Sequence, residues 1–351
     1  MKISVAMCTY NGSAYLAEQL ESIAAQTRLP DELFVCDDRS TDATSEIVRS
    51  FAEKAAFPVH FIVNEKNLGV TRNFEKAISL CTGDVIALTD QDDVWMAEKL
   101  AVFEREFTLK PHLGLIFTDG EVVDEKLNPM NRRIWDYYFS GDKRRMFEQG
   151  KEIEILVWSD TVTGATAALR AELKARLIPV PLDCGFIHDG WLGLLAACHS
   201  HIGFVSQPLI KYRQHQDQQC GVPKKSGNPN QGISQKEKHR RTLALLRARL
   251  HALQTALDFC ERQEAEEQSG GARKRTDEDA ILLKPLDAAK SGLSGVIAEL
   301  SEMVKHLERR KDLPASRLRR LKIVSNELLA GNYFRYSKGF GSAIRDLIES
   351  F

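Results

Sequence analysis

The chain has 351 residues, 43% of them hydrophobic, enough for one large domain or two ordinary ones, and no apolar run approaches the roughly 18 residues needed to cross a bilayer. Seven scattered cysteines without a C-x-x-C pair argue against a disulfide framework or a thiolate metal site, and for a reducing, cytoplasmic setting. The formal net charge of −1 lacks the basic excess of a nucleic-acid binder, so no nucleic-acid partner is expected.

The start, MKISVAMCTYNG, reads as a first strand over Ile3–Met7 rather than as a secretory leader. Tyr15, Leu16, Leu20 and Ile23 then recur at helical spacing. Leu33–Cys36 is a second strand, followed by Ser40 as N-cap of a helix that carries Ile47, Val48 and Phe51. His60–Val63 is a third strand, and Thr71–Leu80 a helix with Phe74, Ala77 and Ile78 on one face. Val85–Leu88 and Leu113–Phe117 are the fourth and fifth strands. Strands alternating with helices predict βαβ units, a mostly parallel sheet with helices on both faces.

The pattern weakens beyond residue 125. Asn131–Gly150 mixes basic, aromatic and glycine residues and reads as a mobile loop, with further strands in Val162–Leu169 and Ile202–Val205. Residues 221–234 are a linker by composition. From Gln235 the chain turns helical, with Leu243, Leu246, Leu250 and Leu253 on one face. Glu264–Asp279 contains Gly270-Gly271 and reads as a flexible loop; helices resume over Ala280–Leu300 and from Ser316. This tail is the basic part of the chain: residues 235–351 hold 23 Lys and Arg against 17 Asp and Glu, and residues 1–234 hold 25 against 32. The division expected is a catalytic domain over 1–220, the linker, and a helical region over 235–351.

In an open α/β sheet, ligands bind beyond the carboxyl ends of the strands. Those ends here read Thr9-Tyr10-Asn11-Gly12, Asp37-Asp38, Asn64, Asp90-Gln91-Asp92-Asp93 and Thr118-Asp119. Singly, each has a plain reading: Asp37–Asp42 as a turn with a helix cap, Asp90–Asp93 as the cap of a helix beginning near Val94. Together on one edge they would repel one another, and a divalent cation is the simple remedy; an all-oxygen site suits Mg²⁺ or Mn²⁺. No G-x-G-x-x-G follows the first strand and no G-x-x-x-x-G-K-[ST] occurs, which argues against a dinucleotide fold and a P-loop.

The segments VAMCTYNG, DDRSTDAT, NLGVTRNFEKAI and GDVIALTDQDDVW, with VTGATAALR, HDGWLGLLA and PLIKYRQH after them, resemble family 2 glycosyltransferases of the GT-A fold. DQDDVW looks most like their bacterial rhamnosyltransferase-like branch. The resemblance covers roughly residues 1–220 and implies a doubly wound α/β domain followed by the helical region. It implies inverting transfer of a sugar, rhamnose from dTDP or a hexose from UDP, to an acceptor hydroxyl on a glycan or lipid-linked glycan. By resemblance Thr9, Asn11, Asp38 and Asn67 line the nucleoside pocket. Asp90 faces the ribose or a metal-bound water, Asp92 ligates the metal, and His215 reaches the metal or diphosphate. Asp189 takes the position of the catalytic base, against its plain reading as a helix cap. Arg213, next to that histidine, is a candidate for phosphate oxygens. The run Gln216–Gly221 departs from the branch, which carries small residues and Asn there.

Two alternatives stand beside this reading. A sugar-phosphate nucleotidyltransferase shares the core but needs a basic Gly-rich loop where this chain reads CTYNGSAYL. A non-catalytic nucleotide-binding or scaffold protein would not need the acids. For the tail, Arg309-Arg310-Lys311, Arg317–Lys322, Tyr333, Phe334, Tyr336 and Phe340 suggest either peripheral membrane contact or packing, including a homo-oligomer.

Overall fold

The computed structural model describes residues 1–159, 161–182, 185–216, 218, 235–268, 282–284, 286–311, 313–314, 316–337, 342–343 and 346–347. The expected linker over 221–234, the Gly270-Gly271 loop and Phe340 lie outside them. The chain divides into two compact units: Met1–Leu182, Phe186–Pro223 and Glu266–Ala289 form one, and Asp183–Gly185, Lys224–Ala265 and Lys290–Phe351 the other.

The first unit is built on a nine-stranded sheet. Strands β1 (Ile3–Thr9), β2 (Glu32–Asp37), β3 (Val59–Val63) and β4 (Val85–Thr89) run parallel in the order β3-β2-β1-β4. Every residue of β1 and β4 is buried, as expected of central strands covered on both faces. The crossovers are α1 (Leu16–Ala24), α2 (Thr44–Ala52) and α3 (Val70–Leu80). Ser40 does not cap α2. Its hydroxyl instead bonds Asp37 Oδ1 (2.5 Å), and Asp42 Oδ1 takes the Thr44 N–H (3.1 Å).

Beyond β4 the sheet becomes mixed. No helix begins at Val94; Val94–Trp95 is the short strand β5, and α4 follows at Lys99–Leu109. Strand β6 (Leu113–Val123) runs well past the expected end at Phe117, and Asp119 lies inside it. The segment expected to be a mobile loop is ordered: β7 (Pro129–Arg133), α5 (Trp135–Tyr138) and α6 (Gly141–Glu148). Its aromatic residues form the reason. Trp135, Phe139 and Phe147 are buried against Phe117 and the half-buried Phe204, ring centroids 4.9–6.3 Å apart.

Next come α7 (Glu152–Leu156), β8 (Ala167–Arg170), α8 (Lys174–Leu177), α9 (His188–His199) and β9 (His201–Arg213). β8 lies antiparallel between β4 and β6, so β6 regains the direction of β4. β9 runs parallel to β6. The carboxyl ends of β1–β4, β6 and β9 therefore share one edge. On the far side β5 pairs antiparallel with β9, Val94 with Lys211 and Trp95 with Ile210. That register brings Arg213 opposite Asp92, which no reading of local sequence reveals.

In the second unit α10 (Gln235–Gln268) buries Leu243, Leu246 and Leu253, with Leu250 half-buried. α11 (Leu286–Lys311) buries Leu293, Leu300, Val304 and Leu307 at helical spacing. α12 (Arg317–Leu329) and α13 (Asn332–Tyr336) close the unit over Val324 and Tyr333.

Candidate active site

A cleft of ≈ 1150 Å³ opens at the shared edge, lined by the ends of β1, β2 and β4, the start of α3, Tyr138, Val162, Thr163 and the start of α9. Thr9, Asn11, Asp38, Asn67, Asp90, Asp189 and His215 all line it.

The strand ends carry a set of backbone loops pinned by side chains. The Thr9 hydroxyl donates to Asp37 Oδ1 (2.8 Å). Asn11, at φ 47°, accepts the Thr41 N–H at Oδ1 (2.8 Å), which ties the β1 loop to the β2 loop. Asp38 accepts the N–H groups of Leu68 (2.7 Å) and Gly69 (2.8 Å) and an N–H of Asn64 (2.8 Å). Gly69 sits at φ 80°, so its backbone can turn both amides onto that carboxylate. Asn67 donates to the Asp38 carbonyl (3.2 Å). Gln91 clips β4 to β1: its Oε1 accepts the Tyr10 N–H (2.9 Å), and its Nε2 donates to the Tyr10 carbonyl (3.1 Å). A Cβ at Gly12 would overlap that Gln91 amide and displace the clip.

The acid run after β4 is the electrostatic centre. Asp92 Oδ2 lies 2.8 Å from His215 Nε2, delivered by the end of β9. Asp93 is fully buried; its Oδ1 accepts the Arg213 N–H (3.1 Å), and its Oδ2 has no hydrogen-bond partner among the described residues. Burial, then the neighbouring Asp92 and Asp189 charges, hold the Asp90 carboxyl well above the usual carboxylate range. Burial and then Asp92 and Asp90 do the same to Asp93. Their buried cation is Lys99, whose Nζ donates to the Ala165 carbonyl (2.6 Å) and lies 3.9 Å from the Trp95 ring centre. Burial pushes Lys99 down to about 7, with Asp93 and Asp90 opposing.

Two expectations are corrected. Arg213 does not line the cleft and is 1% exposed. Its guanidinium donates to the Asp92 carbonyl (2.8 Å), the Glu125 carbonyl (2.6 Å) and the Glu18 carboxylate, and lies 4.6 Å from the Tyr15 ring centre. It is a strut beneath Asp92, because the β5–β9 register turns it inward. Asp119 does not join the acids either. Its Oδ1 accepts the N–H groups of Gly120 (2.8 Å) and Trp135 (3.1 Å), and Arg133 lies 3.6 Å away.

Asp189 sits in the first turn of α9 and also lines the cleft. Oδ2 accepts the Gly164 N–H (2.9 Å) and Oδ1 the Gly190 N–H (2.7 Å), so each oxygen keeps acceptor capacity. His188 beside it was missed by sequence reasoning. It lines the cleft, stacks on Phe74 (4.0 Å, 15°), and neither ring nitrogen has a hydrogen-bond partner among the described residues. Burial lowers its pKa, against Asp189 and Glu75, which keeps the ring neutral. Its place in the HDGW run was the available signal. Lys99 offered none, since a lysine opening a helix is ordinarily exposed.

Among the described residues no group of three or more His, Cys, Asp or Glu is placed to hold an ion. Asp92 Oδ2 and His215 Nε2, 2.8 Å apart, are nonetheless close to the roughly 3 Å between neighbouring ligands of an octahedral ion of the Mg²⁺ type. Such ions take one or two carboxylates and complete their shell from substrate phosphates and water. The residues fit an ion bound together with a diphosphate, rather than a cage of protein ligands.

The Glycosyl transferase family 2 profile matches residues 4–163. The abequosyltransferase RfbV of Salmonella typhimurium is 35% identical over 232 residues, 62% of this chain and 68% of that one. The dTDP-rhamnosyl transferase RfbG of Shigella flexneri is 25% identical over 231 residues, 62% of this chain and 74% of that one. An uncharacterized protein of Mycobacterium tuberculosis is 33% identical over 224 residues, and the chain spans 59% of its length. In fold, the chain is similar to Staphylococcus aureus TarS 1–349 solved with UDP, with a TM-score of 0.52 and 19% identity over 96% of this chain and 89% of that one. With the sheet edge, its pinned loops and these relatives together, the chain belongs to the family 2 glycosyl transferases.

Proposed function

We propose that this protein is an inverting, metal-dependent glycosyltransferase that moves a sugar from a nucleotide diphosphate to an acceptor hydroxyl. The observation that carries the reading is that Asp189, Asp90 and His215 line one cleft, with Asp92 Oδ2 2.8 Å from His215 Nε2. The loops pinned by Asp37, Asp38 and Asn11 offer the nucleoside a preformed floor, with Thr9 and Asn67 on it. Asp92 and His215 would hold the ion, with Asp90 reaching it or the ribose. When bound, the ion supplies positive charge to the diphosphate as it leaves. One imidazole in the set favours Mn²⁺ over the harder Mg²⁺.

Asp189 supplies the base. The acceptor oxygen attacks the anomeric carbon while its proton passes to the Asp189 carboxylate. The bond from that carbon to the diphosphate oxygen breaks, and its electron pair leaves with the diphosphate. Attack from the face opposite the leaving group inverts the centre. The relative named as a dTDP-rhamnosyl transferase supports rhamnose on dTDP as donor, with a glycan or lipid-linked glycan as acceptor. The test is slow donor hydrolysis across dTDP-rhamnose and UDP-hexoses, with Mn²⁺, Mg²⁺ or chelator. Hydrolysis of one donor that needs metal supports the reading; no donor bound, with or without metal, overturns it.

A further inference from the structure

The second unit carries exposed apolar side chains outside the cleft-lining residues. On α12, Leu318 is 82% exposed, Leu329 87% and Leu321 49%, and Phe334 on α13 is 54% exposed. Spacings of 3, 8 and 11 residues put Leu318, Leu321 and Leu329 on one side of a 3.6-residue helix. Arg319 and Lys322 are exposed among them. The acid of α12, Glu327, is buried and bonded to His306 (2.6 Å) and Arg309, so it does not offset those cations at the surface. Other parts of the basic tail are spent internally. Arg310 pairs with the buried Asp346 (2.6 Å), and Tyr333 is fully buried with its hydroxyl on the same carboxylate (2.6 Å). The expectation that Tyr333 meets a headgroup boundary is thereby corrected.

We propose that the outer face of α12, with Phe334, is a docking surface for an anionic lipid bilayer. Leucines nearly free of cover, interleaved with cations, match a layer whose headgroups are negative and whose interior begins just beneath. A second copy of the chain fits less well. A two-fold contact through α12 would bring the Arg319 and Lys322 of both copies into one interface, with Glu327 buried and unable to pair with them. The helix lies on the bilayer rather than across it: among the described residues no helix is long and apolar enough to span one.

The test is sedimentation of the full chain with vesicles of phosphatidylcholine alone or mixed with phosphatidylglycerol, at low and high salt. The chain should bind the mixed vesicles at low salt and be released by high salt. L318S/L329S and R319E/K322E should each weaken that binding by at least about tenfold. Their thermal midpoints should match the parent, because the altered side chains are exposed. Donor hydrolysis provides an independent readout and should be unchanged, so loss of docking and failure of the catalytic reading are distinguishable. Three results overturn the proposal: no binding to mixed vesicles, equal binding by both variants, or a light-scattering mass showing that L318S/L329S splits a dimer instead.

Discussion

Both units bury charged side chains, but the acids that follow β4 are treated differently from those of the helical unit. Among the described residues of the helical unit each buried acid has its own partners. Asp346 takes Arg310 (2.6 and 3.1 Å) and the Tyr333 hydroxyl (2.6 Å), and Glu327 takes His306 (2.6 Å), Asn332 (2.9 Å) and Arg309. At the cleft, Asp90, Asp92 and Asp93 crowd one another, with Lys99 as buried cation. Asp93 Oδ2, His215 Nδ1 and both His188 nitrogens lack hydrogen-bond partners among the described residues. A satisfied buried network holds a fold in place. An unsatisfied one is held by the fold, at a cost, and points to a ligand that completes it.

The sharpest way to break that contrast is Asp92→Ala. It should abolish transfer and weaken nucleotide-diphosphate binding while leaving the fold intact. Full activity in excess chelator would show that the acids need no ion. Asp189→Asn keeps shape but removes the proton acceptor, so transfer should fall by roughly 10²–10⁴-fold. Donor affinity, read by calorimetry, should barely change; its collapse would make Asp189 a donor-site or structural residue.

The helical unit should respond in stability instead. Arg310→Met leaves Asp346 buried without its cation and should cost about 3–5 kcal/mol in denaturant unfolding of that unit, with donor hydrolysis retained where it stays folded. A negligible loss would mean that this network is not what holds the unit together.

A smaller effect separates the regions by pH. The folded-state pKa of Asp90 is raised, so its contribution to stability is present below the ordinary carboxylate range. It is lost as pH rises towards about 8. The stability of the parent relative to Asp90→Asn should therefore decline over that window in chelator, and added divalent ion should restore the parent most at the upper end. Parallel profiles for the two proteins would show that Asp90 titrates normally.

Much of the first unit was legible because its cues are local. Alternating periods marked β1–β4 and their helices, and Asp38, Asp90, Asp92 and Asp189 stood out as acids at strand or helix ends. The segment around Trp135 was misread because its basic and glycine residues resemble a loop's, while the aromatic packing that orders it involves Phe117 and Phe204, distant in sequence. The inward direction of Arg213 has a related cause: it follows from strand pairing, which side-chain type does not reveal.

The sequence by itself determined the α/β alternation, the acids on one edge and the family, since periodicity and motif are properties of neighbouring residues. Tertiary structure alone decided that His215 meets Asp92, that Lys99 is buried beneath the acids, and that His188 is buried without hydrogen-bond partners at the cleft wall. It also decided which tail residues face solvent, leaving Leu318 and Leu329 exposed while burying Tyr333. Those outcomes depend on register and burial, which are set by segments a hundred or more residues apart or by the packing of several helices.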